Sequence, residues 1–308
     1  MESGLLYAST MQPLPRVTSV KVDWSASRAN VLVLNRGKPL EQRPIVNYIP
    51  VNVSIDLYSS DNSLEQMLAL VNTTGIATNI TDTNAATATY GIRSMQLLYA
   101  PTNSANYNGE LDIKSGVLTS YSIQGSVSSP VRESIQMQFL DMSGNVNSTL
   151  RDSNTYLAQP VIPAGISLTG IQFSGYGITG ANVQSFSLGI NFTRTQVFQL
   201  GTRFPVTRPL TDVSASLQVQ GYFEGVNNTV TGLSQYYCGF PTYGTVALVL
   251  SPSCGTSSPR TITITNPYIE SYSVDGQVGN FSTFSMAFSM PLGPNPLDTG
   301  DGSVLTFT

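Results

Sequence analysis

The chain has 308 residues, of which 41 % are hydrophobic and only 10 % charged, against about a quarter charged in an average soluble domain. Fourteen basic residues against 18 acidic ones give a net charge of −4, which argues against a protein built to grip phosphates. Histidine is absent, and with it go Ser-His and Cys-His nucleophile pairs and the usual zinc and haem sites.

A surface with so few charges is poorly protected against association, so much of it is expected to be covered by partner subunits. A secreted Ser/Thr-rich β domain would share this composition. The opening MESGLLYASTMQPLPR lacks a basic region followed by an apolar core, so no signal peptide is expected. Apolar runs such as VALVL (246–250) are far too short to span a bilayer, and the expectation is a soluble, cytoplasmically made chain with no membrane partner.

In chain order, SVKVDW (19–24) alternates as a strand does, and its Trp24, the sole tryptophan, is expected in the core. A long polar loop follows. In the next strand Val53, Ile55 and Leu57 take one face, and Ser54 and Asp56 the other. Leu64, Met67, Leu68 and Val71 then fall at helical spacing behind a Ser63/Gln66 capping box, so 63–71 is predicted as a short helix. Strands 117–127 and 133–141 follow, the second with Ile135, Met137 and Phe139 alternating against Ser134, Gln136 and Gln138. Turn chemistry at 145–165 marks a boundary.

The second half repeats the first. Residues 111–138 align without a gap onto 262–289, an offset of 151 that pairs Ile113 with Ile264, Ser120-Tyr121-Ser122 with Ser271-Tyr272-Ser273, and Gly125 with Gly276. More weakly, 19–24 matches 185–190, and 53–57 matches 213–217 at an offset of 160. Phe284, Met286, Phe288 and Met290 alternate with Ser285, Ala287 and Ser289. A weaker helix is expected around 222–236. The expected fold is all-β dominated, two tandem β-sandwich or partial-barrel domains (1–150 and 151–308) with one short helix each. The arms at 1–16 and 291–308 are expected to order on assembly.

Little in the sequence supports catalysis, and no cofactor, metal or catalytic site is expected. Glu110 and Asp112 share one face of a strand, a geometry that a solvated face explains. Gly175-Tyr176-Gly177-Ile178-Thr179-Gly180 matches a dinucleotide fingerprint in letters, but a strand pattern follows where a helix is needed. Asp298 and Asp301 read as an acidic turn. The Asn-x-Ser/Thr triplets at Asn72, Asn79, Asn147, Asn191 and Asn280 follow from composition. Cys238 and Cys254 are either free thiols or a short-loop disulfide.

The order of elements, SVKVDW (19–24), LNRGKPLEQRPIVNYIP (34–50), VNVSIDLYSS (51–60), SLEQMLALV (63–71), VLTSYSIQGSV (117–127) and ESIQMQFLD (133–141), repeated from SFSLGINF (185–192) to STFSMAFSM (282–290), resembles the tail tube proteins of long-tailed bacteriophages, in the form carrying two fused tube domains. The resemblance implies trimeric, pseudo-sixfold rings that close by strand pairing and stack into a tube. It implies a virion protein assembled in the host bacterial cytoplasm, whose partners are itself, the tape measure, terminator and baseplate or tip proteins, and a sheath where one exists. DNA would cross the lumen without specific binding.

Under that resemblance, strand parity sends Ser54, Asp56, Ser134, Gln136, Gln138, Ser214, Ser216, Ser285 and Ser289 to the lumen, giving a neutral-to-acidic bore. Seven of the 14 basic residues cluster in two matching loop windows, Arg28, Arg36, Lys38 and Arg43, then Arg194, Arg203 and Arg208. Arg36, Lys38, Glu41, Arg43, Arg203 and Arg208 are expected to dock on acidic or carbonyl groups of the next ring. Two other readings fit the composition: a viral capsid or spike protein of two β-sandwich domains, and a secreted adhesin or sugar-binding module with an oxidised Cys238–Cys254 bond and an exposed aromatic platform.

Overall fold

A computed structural model of the chain describes residues 2–7, 10–14, 16–26, 31–35, 38–42, 48–59, 64–65, 68, 70, 92–99, 109–127, 129–145, 166–174, 181–202, 204–223, 244–252, 259–276, 282–292 and 304–307. The described residues are almost entirely β. The strands of the first half are β1 (Glu2–Tyr7), β2 (Thr10–Pro13), β3 (Val17–Trp24), β4 (Val31–Asn35), β5 (Lys38–Gln42), β6 (Val51–Tyr58), β7 (Ile92–Tyr99), β8 (Gly109–Ser126), β9 (Ser129–Phe139) and β10 (Asp141–Asn145). The second half adds β11 (Ile166–Ser174), β12 (Ala181–Arg194), β13 (Leu210–Phe223), β14 (Thr245–Pro252), β15 (Arg260–Thr265), β16 (Tyr268–Asp275), β17 (Thr283–Pro291) and β18 (Val304–Phe307).

One antiparallel ribbon runs β3-β6-β9-β8-β12-β13-β17-β16. Its first four strands and its last four have the same order, and the ladders agree residue by residue. Val20 pairs with Ile55, Ile55 with Ile135, and Ile135 with Tyr121. In the second half Phe186 pairs with Val219, Val219 with Met286, and Met286 with Tyr272. The irregularities recur at matching places: between Val17 and Ser19 as between Val183 and Ser185, and between Leu118 and Ser120 as between Ile269 and Ser271. These ladders set β6 against β13 at an offset of 164 rather than 160, since Ile55 corresponds to Val219. Strand alternation survives a slip of four, which is why sequence matching missed it.

Each half also has an outer sheet. β1, β7, the first part of β8 and β10 pair in the order β1-β7-β8-β10, and β11-β14-β15-β18 repeat it. The chain turns from outer to inner sheet at Ser115 (φ 57°) in the first half and at Asn266 (φ 54°) in the second. Both occupy the left-handed region, which short polar residues tolerate better than branched ones, and they stand 151 residues apart.

The core follows from alternation. Val53, Ile55, Leu57, Ile135, Met137 and Phe139 are buried, as are Val213, Leu217, Val219, Phe284, Met286, Phe288 and Met290. The outer sheet of the second half reaches back over the first, placing the Phe307 ring edge-on to Tyr121 at 6.2 Å, while Phe173 stacks on Phe288 at 6.2 Å. The final strand is therefore core, with Leu305 and Phe307 buried, and β1 pairs along β7. Both arms thus contribute strands, β1 and β2 from the first and β18 from the second.

Where the helix 63–71 was expected, Leu64 and Glu65 are helical. Leu68 N–H donates to Leu64 O at 2.8 Å and Leu70 N–H to Glu65 O at 2.7 Å. Met67 and Val71 lie outside the described residues, as do nearly all of 222–236 and all of 146–165.

Candidate assembly edges and the uncovered face

Among the described strands, β3 pairs only with β6 and β16 only with β17, so each leaves an edge without a neighbour. Their counterparts are β12 and β8, and these pair with each other at the centre of the ribbon, Leu188 opposite Ile123 and Ile190 opposite Tyr121. All four of those side chains are 0 % exposed. The corresponding residues at the open ends are Val22, Val274, Trp24 and Tyr272. Trp24 is 58 % exposed and Val274 51 %, while Val22 and Tyr272 are half-buried. Trp24 thus departs from the expected core position because β3 ends the ribbon. An apolar strand with a free ladder edge invites pairing.

All nine residues expected in a lumen lie on one face of the ribbon, opposite the core. Ser54 pairs with Gln136, Asp56 with Ser134 and Ser216 with Ser289. Gln138 faces Asn52, Ser285 faces Gln220, and Ser214 alternates with buried Val213 and Ala215. Ser122, Gln124, Ser187 and Gln218 continue this face across the middle of the ribbon. Its basic residues among those described are Lys21 and Arg132, set against Asp23, Asp56, Asp212, Glu270 and Asp275. Lys21 lies 2.7 Å from Asp23, and the Arg132 guanidinium sits 5.5 Å from the Tyr58 ring centre. A polar groove of about 400 Å³ crosses the β8–β12 junction between Gln124, Ser126, Arg132, Ser187 and Gln220.

One of the loop arginines, Arg208, is a correction. Arg208 is 4 % exposed and donates to Gln138 O at 3.2 Å and Ser115 O at 2.6 Å. It meets carbonyl groups as expected, but those of its own chain, where it braces the turn between sheets. Arg194 donates to Arg208 O at 3.0 Å. Lys38 and Glu41 fall in the β4–β5 hairpin, paired in the ladder with Asn35 and Leu32. Arg28, Arg36, Arg43 and Arg203 lie outside the described residues. The β12–β13 connection also exposes large apolar side chains beside Gln199 and Thr202: Leu200 fully, Phe198 by 51 %, with Gly201 (φ 86°) at its tip.

A buried ionic cluster, which no sequence pattern announces, joins the two halves. Arg260 on β15 donates to Glu133 Oε1 at 2.7 Å, to Ser59 Oγ at 2.7 Å, and to Glu65 Oε1. The Tyr121 hydroxyl donates to the same Glu65 oxygen, and Arg260 lies over the Phe307 ring. Burial, then the Glu65 carboxylate, pushes the Glu133 carboxyl up to about 7, against the opposing pull of Arg260 and Ser59. Burial disfavours the Arg260 charge, but Glu65 and its neighbours outweigh it and hold the guanidinium protonated. Burial also pushes the Tyr121 hydroxyl well up, so it stays a donor. In the repeat, Gly109 stands where Arg260 does and Phe284 where Glu133 does, so the cluster marks only the junction within the chain.

Among the described residues no three His, Cys, Asp or Glu side chains converge as metal ligands. Residues 175–180, Asp298, Asp301, Cys238 and Cys254 lie outside them, and β12 begins straight after the glycine-rich run. No protein-family model matches the chain, and no curated protein matches it.

Proposed function

We propose that this chain is a structural subunit of a phage tail tube, not an enzyme, and that it assembles with copies of itself. One observation carries the reading. The open edges β3 and β16 are the counterparts of β12 and β8, which already pair inside the chain. Repeating that junction between chains extends the ribbon with no new type of contact, because the contact is heterologous, head to tail. Closure into a ring removes both edges. Three copies would give the pseudo-sixfold ring that a doubled subunit implies.

In such a ring the polar face of Ser54, Asp56, Ser134, Gln136, Gln138, Ser214, Ser216, Ser285 and Ser289 is the lining. Hydroxyl and amide groups with an acidic excess offer phosphates little to hold. Ring stacking falls to the apolar tip around Phe198 and Leu200 rather than to Arg208. The tape measure, terminator and baseplate or tip proteins are the partners this role requires, in a virion assembled in the bacterial cytoplasm. The test of the lining uses assembled protein with Ser54, Asp56 and Ser134 all changed to Arg. It should still assemble but retain duplex DNA in a salt-dependent way that the natural protein does not. Equal DNA retention by both would overturn the lining assignment.

A further inference from the structure

The internal junction supplies a register for the contact between copies. Leu188 opposite Ile123, Ile190 opposite Tyr121, Phe186 opposite Gly125, and Ser187 opposite Gln124 translate into Val22 opposite Val274, Trp24 opposite Tyr272, Val20 opposite Gly276, and Lys21 opposite Asp275. The first three sets match in kind. Small Gly276 stands where Gly125 does, and a Cβ on Gly125 would fall 2.9 Å from the Phe186 ring, so glycine here admits the facing side chain. The last set does not match in kind. A neutral Ser–Gln pair inside the chain is replaced by opposite charges at the two open ends, and both residues are exposed on the polar face.

We propose that Lys21 of one copy stands opposite Asp275 of the next and that this pair fixes the register of the β3–β16 seam. This deepens the assembly reading and rests on it. Directly opposed residues of antiparallel strands lie about 4.5–5.5 Å apart at Cα, within reach of an ion pair. Lys21 already touches Asp23 on its own strand, so in the seam it lies between two carboxylates. A slip of two residues would keep the apolar face inward but bring Lys21 opposite Gln277 or Ser273, both uncharged. The charged pair therefore discriminates among registers that side-chain parity alone leaves equal.

Two measurements test this. Mass photometry over a concentration series compares the natural protein with Lys21→Glu, Asp275→Lys and the double reversal, after far-UV circular dichroism confirms that each is folded. Each single reversal replaces an opposed attraction by a repulsion and should raise the concentration for ring formation by about tenfold. The double reversal should return it to within about threefold. In a background with Cys238 and Cys254 changed to Ser, Asp23→Cys with Ser273→Cys should form disulfides between copies, and Asp23→Cys with Ser271→Cys far less. If the natural protein forms no oligomer, the assembly reading and this inference fall together. If it forms rings while neither reversal weakens them and both cysteine pairs link equally, the register alone is wrong.

Discussion

Replacing Arg260 by Leu isolates what holds the two halves together. Arg260, Glu65 and Glu133 are 4 %, 0 % and 1 % exposed, so the change leaves two carboxyl groups facing each other away from water. Removing one partner of a buried ion pair costs about 3–5 kcal/mol, a large part of the ~5–15 kcal/mol that stabilises a typical domain. Part of that cost should be relieved by acid, because a carboxyl group that has lost its counter-charge becomes neutral by taking up a proton. The assay is urea unfolding followed by far-UV circular dichroism on dilute protein at pH 7.5 and pH 5. The expected result is a loss of about 4 kcal/mol at the higher pH and a clearly smaller loss at the lower. A loss under about 1 kcal/mol, or one equal at both pH values, would refute the reasoning.

In the natural protein, Glu133 is raised from 4.5 to about 7, so between those values the folded chain holds a proton that the unfolded chain has released. Glu133 should therefore make stability decline as pH rises from 4.5 to 7 and level off above; an unfolding midpoint that rises over this range would contradict it. Gly221→Ala puts a Cβ 2.3 Å from the backbone oxygen of Asn182, which no rotamer change relieves. Thermal melting should show a loss of about 1–3 kcal/mol. Arg208→Leu should destabilise the isolated subunit by about 2–3 kcal/mol in urea unfolding, whereas a residue that only stacked rings would leave the monomer's midpoint unchanged. Trp24 fluorescence should shift to shorter wavelength as concentration rises and β3 gains a neighbour.

Much of this architecture was legible in the sequence because a half-buried sheet writes its parity into the chain. Val53, Ile55 and Leu57 against Ser54 and Asp56 fixed both faces of β6, and the repeat of Ser120-Tyr121-Ser122 at Ser271-Tyr272-Ser273 fixed the pairing of halves. Parity does not reveal which strand ends a sheet, so Trp24 looked like core. Nor does a cluster of arginines show its partners. Arg208 lies in the same loop as exposed Leu200 and Thr202, yet its guanidinium turns inward to two carbonyl groups. The Arg260 cluster draws on residues 59, 65, 121, 133 and 260, a convergence that only the fold back of the second outer sheet creates.

In the proposed assembly, free β3 and β16 edges join copies head to tail into closed rings. Negative-stain electron microscopy of the purified protein across a concentration series tests it most directly. Head-to-tail joining should give threefold rings with an open centre, stacking into tubes of uniform bore as concentration rises. Particles that remain single subunits at every concentration, or that close into shells, would contradict it.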